Sequence, residues 1–147
     1  MGALVSRYVS AVALIGAVFS EKPGLIVQAP DTPVRLDRAT VLTSADAPPV
    51  VLYSATNTTA DDLDQFTVIV YVFDAQGTLK ARQSAPARRE LEAHATKFSA
   101  IVLDGSPIQP TDQIVIGVNQ AQKVGSDTWW RAELQQAAVA AVRSAKQ

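Results

Sequence analysis

The stretch FTVIVYVF, residues Phe66 to Phe73, decides the fold of this chain. Its β-branched and aromatic residues favour a strand. Successive side chains of a strand point to opposite faces, so three valines occupy one face while Ile69, Tyr71 and Phe73 occupy the other. Both faces are therefore apolar, whereas a sandwich strand usually buries only one. The pattern predicts that a further layer covers Ile69, Tyr71 and Phe73.

The residues after this strand predict a hairpin. In the segment DAQG, residues 74–77, glycine stands where a hairpin turn needs a positive φ. A strand beginning at Thr78 should therefore pair directly with the strand that ends near Phe73. Gly125, Ser126 and Asp127 predict a second hairpin near the end of the chain.

Short β-rich runs separated by turn residues recur along the chain at intervals near ten, which is typical of a sandwich or a barrel. Seven short strands suit an immunoglobulin-like topology. We therefore predict a mainly β protein, an immunoglobulin-like antiparallel β-sandwich over residues 33–131, with an N-terminal apolar helix and a short C-terminal helix. The predicted strands are Val34 to Thr43, Val50 to Asn57, Gln65 to Asp74, Thr78 to Gln83, Lys97 to Leu103, Gln113 to Lys123 and Thr128 to Arg131.

The N-terminal segment has the layout of an export signal. One positive charge, Arg7, precedes the apolar run from Tyr8 to Phe19, and Glu21 to Gly24 ends that run. We predict that residues 1–22 are helical and form a signal peptide or a retained membrane anchor, followed by a linker at 23–32. Both alternatives place the domain outside the cytoplasm. A third alternative is that the apolar run is a buried core helix of a cytoplasmic protein.

Residues 132–147 predict a C-terminal helix, because this segment lacks Gly and Pro and is rich in helix formers. Leu134, Ala138, Ala141 and Val142 lie near one face at helical spacing. Either this helix or another protein should cover the face of Ile69, Tyr71 and Phe73. A partner is slightly favoured, because a helix that presents mainly alanines has little apolar area to offer.

The composition excludes several classes of function. A net charge of -1 offers no basic face for phosphates, so nucleic acid is not expected as a partner. No cysteine is present, so the chain has no disulfide and no lipid-modified cysteine. His94 is the single histidine, and no nucleophile elbow accompanies it. We expect no catalytic residues, no cofactor and no enzymatic activity.

An acidic loop and a tryptophan pair are the remaining candidate sites. Asp61, Asp62 and Asp64 supply three carboxylates, but they lack the glycine and the distal glutamate of a calcium-binding loop. We expect no metal site there, with weak cation binding left open. In the pair Trp129 and Trp130, one ring should reach the core, and the other should meet the C-terminal helix, a membrane interface or a partner.

Three segments resemble FxLYD-like bacterial exported domains. They are Val51 to Thr59, Phe66 to Asp74 with its Gly77 turn, and Leu91 to Phe98. The resemblance covers about Pro33 to Arg131. It implies an immunoglobulin-like sandwich attached to the cell envelope without an enzymatic role. The chain departs from that pattern by having His94-Ala95 where a glycine turn is usual and by lacking the lipid-modified cysteine.

The sequence therefore favours a non-catalytic accessory or interaction module outside the cytoplasm. It would be tethered through its N-terminal segment to the membrane and would pack on a membrane or envelope protein. The expected interaction residues are Ile69, Tyr71, Phe73, Trp129 and Trp130. The alternative is a soluble periplasmic β-sandwich that binds a ligand or an ion.

Overall fold

The computed structural model describes residues 19–87, 90–105 and 107–146. These residues form nine strands and one helix. The strands are β1 (Phe19–Pro23), β2 (Leu25–Ile26), β3 (Val34–Ser44), β4 (Ala47–Asn57), β5 (Leu63–Phe73), β6 (Leu79–Ala87), β7 (Thr96–Val102), β8 (Gln113–Lys123) and β9 (Trp129–Arg131), and the helix is α1 (Gln135–Ala145).

The strands form two sheets. The first sheet has the order β1-β3-β4-β7, and the second has the order β2-β8-β5-β6 with β9 also paired to β8. Every pairing is antiparallel except that of β2 with β8. The mainly β class, both predicted hairpins and the C-terminal helix are confirmed. At the first hairpin Gly77 has a φ of 84°, and its N–H donates to Asp74 O at 2.9 Å.

The main core lies between the two sheets. Its side chains alternate along each strand with residues of the opposite face, as the two-residue period requires. In β5 this face carries the three valines of the FTVIVYVF stretch, and each is at most 7 % exposed. The core residues contributed by the other long strands include Val34, Leu36, Val41, Val51, Tyr53, Ile101, Ile114, Ile116 and Val118.

A smaller second core covers the outer face of the second sheet. Ile69, Tyr71 and Phe73 pack there against Leu134, Ala138 and Val142 of the C-terminal segment and against Val27. The C-terminal segment and the segment around Val27, rather than another protein, therefore cover this face. The alanines of α1 do not prevent the contact, because their small side chains let the helix approach the sheet closely, and Leu134 supplies the large apolar group.

The N-terminal prediction needs a correction. Residues 1–18, which hold most of the apolar run, lie outside the described part of the chain. Phe19–Pro23 is a strand rather than the end of a helix, because it pairs along Thr40 to Ser44 of the long strand β3. The predicted linker contains β2, and Val27 N donates to Ile116 O at 3.0 Å. In the described ranges, no helix is long and apolar enough to cross a membrane.

A buried carboxylate ties three elements together near one end of the sandwich. Asp112 is 3 % exposed and pairs with Lys80 of β6 at 2.6 Å. Its carboxylate also accepts a hydrogen bond from Gln109 N at 2.8 Å, and Lys22 of β1 donates to its main-chain oxygen. Burial lowers the pKa of Lys22, and the negative charge of Asp112 opposes that shift. A charged pair at this depth holds the loop before β8 in place.

Gly117 of β8 allows the two covering segments to meet on the second sheet. A Cβ at this position would lie 2.5 Å from Leu134 Cδ1 and 2.8 Å from Val27 O. The second of these atoms belongs to the backbone and cannot rotate away. A side chain at position 117 would therefore push the N-terminal segment off the sheet.

Replacing Gly117 with alanine should lower the free energy of unfolding by about 1–3 kcal/mol, the usual cost of overpacking. Urea denaturation of the two proteins measures the difference. Gly24→Ala is the matched control, because its nearest neighbour would be a side-chain atom, Ala39 Cβ, at 3.2 Å. Equal losses for the two variants would show that the close approach at Gly117 is not the constraint we infer.

Candidate functional site

Three of the five predicted interaction residues are internal. Ile69, Tyr71 and Phe73 are 8 %, 1 % and 1 % exposed beneath α1 and the segment around Val27. The rings of Tyr71 and Phe73 are 6.5 Å apart and tilted by 32°. In this fold these side chains stabilise the domain and do not form an accessible surface.

The environment of Tyr71 affects its hydroxyl group. Burial raises the pKa of the Tyr71 phenol, and the charge of Glu133 raises it further, while Arg82 and the Leu134 backbone oppose the change. The folded state therefore favours the neutral phenol.

The other two predicted residues, Trp129 and Trp130, lie together on the short strand β9. Trp130 is opposite Ala121 of β8 and packs against the main core, whereas Trp129 is opposite Gln122. Both rings are half-buried. The prediction that one ring reaches the core is met by Trp130, and Trp129 lies at the edge of the sheet.

The two indoles line a groove of about 580 Å³, which we call the tryptophan groove. Leu63 and Ala121, both buried, also line it, and Asp31 and Lys123 contribute charged groups. Among the described residues, neither indole N–H donates a hydrogen bond. The groove thus combines apolar ring surface with free donors.

The hydroxyl groups beside the groove are engaged within the chain. Thr32 Oγ1 donates to Val34 O at 2.9 Å, and Thr59 Oγ1 lies 2.8 Å from Asn57 Oδ1. Ser126 Oγ accepts a hydrogen bond from Thr128 N at 3.1 Å. A molecule in the groove would therefore meet hydroxyl oxygens that retain lone pairs, together with indole and ammonium donors.

The side chain of Asn57 holds the acidic loop beside the groove. The buried Asn57 amide donates to Asp61 O at 2.8 Å and to Leu91 O at 2.9 Å. The Asp61 carboxylate pairs with Lys123 at 3.0 Å, and Asp62 Oδ1 accepts a hydrogen bond from Ala93 N. In the part of the chain that the structure describes, no three acidic, histidine or cysteine side chains are grouped to hold a metal.

His94 lies exposed in the turn before β7, where Ala95 N donates to Glu92 O at 3.0 Å. Its φ of 63° is the left-handed conformation that glycine adopts most easily. The residue therefore fills a turn position that usually belongs to glycine.

The sequence analysis did not identify the most exposed apolar surface of the described structure. It is the outer side of the first sheet, which we call the apolar face and whose apolar residues are Leu42, Val50, Leu52, Phe98, Ala100 and Val102, with Thr40 and Ser54 on the same side. Strand pairing makes these residues neighbours: Val50 is opposite both Leu42 and Val102, and Leu52 is opposite Ala100. Leu52, Phe98 and Val102 are 40 %, 75 % and 49 % exposed.

The apolar face differs sharply from the outer side of the second sheet. No described residue covers it as α1 covers Ile69, Tyr71 and Phe73. Glu21 and Arg38 occupy its margin, and the Arg35–Asp37 ion pair lies on the same side, where Thr56 donates to Asp37. The alternation of Phe98, Ala100 and Val102 in the sequence was the available signal, but it does not reveal which side of the strand faces the core.

No protein-family model matches the sequence, and no curated protein matches it. Among solved structures, the chain is similar to the Salmonella enterica trimeric lipoprotein SadB, at a TM-score of 0.41 and 11% sequence identity. The match covers 80% of this chain and 72% of the SadB chain. A likeness of this size carries no argument about function.

The raised pKa of Tyr71 predicts a pH dependence of stability. Above a pH of about 10 the phenol ionises more readily in the unfolded chain than in the folded one, so the protein loses stability as the pH rises through this range. Below that pH the phenol is neutral in both states and contributes no slope. Tyr71→Phe keeps the ring and removes the ionisation, so the variant should lose less stability than the wild type on going from pH 9 to 11.

Chemical denaturation at each pH measures this difference. Identical slopes for the two proteins would mean that the Tyr71 hydroxyl is not desolvated in solution.

Proposed function

We propose that this protein is a non-catalytic extracytoplasmic interaction module, tethered through its N-terminal segment, that docks on a membrane or envelope protein through the apolar face. The observation that carries the proposal is the difference between the two sheets. The chain uses α1 and its N-terminal segment to bury the outer side of the second sheet. No described residue buries the corresponding side of the first sheet.

The energetics of the apolar face support a binding role. Exposed apolar surface gains about 25 cal/mol for each Å² that is removed from water. Monomeric proteins rarely leave a contiguous apolar patch larger than a few hundred Å². Leu52 lies between Ala100 and Thr40 on this face and is 40 % exposed, and Phe98 is the most exposed of its apolar side chains, at 75 %. These two side chains are the expected anchors of the interface.

We also infer that the sandwich is immunoglobulin-like. Strands β3, β4 and β7 share one sheet, while β5, β8 and β9 share the other. This distribution corresponds to the immunoglobulin arrangement, in which strands A, B and E lie in one sheet and C, F and G in the other. The short β1 and β2 extend the edges of this arrangement.

The tether is inferred from residues 1–18, whose apolar run leads directly into β1 at the edge of the first sheet. An anchor there would hold the first sheet near the membrane surface. A cleaved signal peptide would export the same domain without holding it.

Leu52→Asp should abolish association through the apolar face, because a carboxylate at the centre of the patch would have to be buried without a partner. Cross-linking in intact cells, followed by purification of the full chain, should recover a specific protein with the wild type and lose it with the variant. Val124→Asp is the matched control, because Val124 is 56 % exposed and lies outside the apolar face.

A pattern of cross-linked proteins that is the same for the wild type and Leu52→Asp would contradict the docking proposal. Melting temperatures of the three proteins should agree within a few degrees, since all the changes lie on the surface.

A second candidate function is ligand binding in the tryptophan groove. Its volume of about 580 Å³ suits a small molecule, and two half-buried indoles offer stacking surfaces. Titration with soluble neutral oligosaccharides and with small aromatic compounds should quench the fluorescence of the two tryptophans if the groove binds such rings. Trp129→Ala should weaken that binding at least 10-fold, about 1.4 kcal/mol. The absence of any saturable change would remove this candidate.

A further inference from the structure

We infer that the apolar face binds a second copy of the same chain, packed face to face about a two-fold axis through Leu52. The inference rests on the proposed function, in which this face is a protein-binding surface, and it names the partner. A two-fold interface uses the same patch on both copies, so the patch must be complementary to itself.

The strand register divides the apolar face into three rows that run across the strands. Leu52 lies in the middle row, opposite Ala100. Glu21 shares the first row with Val102, since both align with the pair Leu42 and Val50. Arg38 shares the third row with Phe98, because Ser54 is opposite both.

The two charges are placed so that rotation about Leu52 pairs them. A two-fold axis that is perpendicular to the strands and parallel to the sheets places each strand over the same strand of the second copy. It places the first row of one copy over the third row of the other. Phe98 then lies over Val102 of the second copy, and Glu21 lies beside the strand that carries Arg38 of the second copy. Neighbouring strands are about 4.8 Å apart, a distance that an arginine side chain spans. Each interface would contain two such Glu21–Arg38 pairs.

The other two-fold arrangement fails on charge. An axis parallel to the strands would keep each row over the same row of the second copy, so Glu21 in the first row and Arg38 in the third row would remain two rows apart. Within the described ranges neither Glu21 nor Arg38 has an ion-pair partner, whereas the nearby Arg35 pairs with Asp37 at 2.6 Å. The free charges are therefore available to the second copy.

The edge of the first sheet is a poorer surface for self-association. Gln83 Nε2 donates to Val102 O at 2.8 Å, and Gln83 Oε1 accepts from Asp104 N at 2.8 Å, so β6 covers one end of the β7 edge. Lys97 of β7 donates to Glu90 O beside the other end. Charged and covered edges oppose the addition of another strand. The face, rather than the edge, is left for the second copy.

The size of the face predicts a weak dimer. Four strands at about 4.8 Å spacing give a face about 20 Å wide, and its three rows span about 20 Å along the strands, so its area of about 400 Å² is below the roughly 800 Å² per partner of a standard interface. Tethering two copies to one membrane would raise their effective concentration and favour the pairing.

A charge-reversal cycle on the full chain, purified in mild detergent, tests the inference. Sedimentation velocity over a range of protein concentrations measures the dimer dissociation constant. Glu21→Arg and Arg38→Glu should each weaken the dimer by about 10-fold or more, because each places like charges together in the interface. The double variant carrying both changes should recover the wild-type constant to within about threefold, as expected for two residues that interact directly. Val124→Asp should leave the constant unchanged.

The outcomes separate the inference from the proposed function. A monomeric full chain, or a double variant no better than the single ones, overturns the two-fold pairing. If the monomer still cross-links in cells to another envelope protein through Leu52, the docking function stands and only the second copy is wrong. If cross-links from position 52 reach residues 1–18 of the same chain, that segment occupies the face and both proposals fail. Circular dichroism of each variant confirms that it is folded.

Discussion

The rest of the structure depends on the burial of both faces of β5. This strand is apolar on each side, and water would be unfavourable against either one. The valines of one face join the main core between the sheets, while Tyr71 and Phe73 on the other face need a separate cover. Two segments of the chain provide that cover: the segment around Val27, which precedes β3, and α1, which follows β9. The described residues thus form a two-sheet domain with a third layer over the second sheet.

This one-sided cover explains several other features. Gly117 is required because the two covering segments meet above it, where Val27 O leaves no space for a Cβ. Both β2 and β9 pair with β8. Each covering segment is therefore held by backbone hydrogen bonds just before it crosses the face of the sheet. Both covering segments lie on the second sheet, and among the described residues no segment covers the apolar face of the first sheet.

The candidate sites are distinguished by how completely the chain satisfies their polar groups. The acidic loop is engaged in part, because Asn57 holds Asp61 O, Lys123 pairs with the Asp61 carboxylate and Ala93 N donates to Asp62 Oδ1. Among the described residues, the indole N–H groups of the tryptophan groove and the charges of Glu21 and Arg38 at the apolar face have no partner.

The sequence by itself determined the strands, because a two-residue period, turn glycines such as Gly77 and a helix-forming tail are local signals. It also determined that Ile69, Tyr71 and Phe73 must be covered. Only the tertiary structure decided what covers them, because packing depends on the path of the chain between distant segments. The same holds for β1, whose residues become a strand through pairing with β3. It holds for the apolar face too, since alternation in β7 shows two faces and only the docking of the sheets shows which one is turned outward.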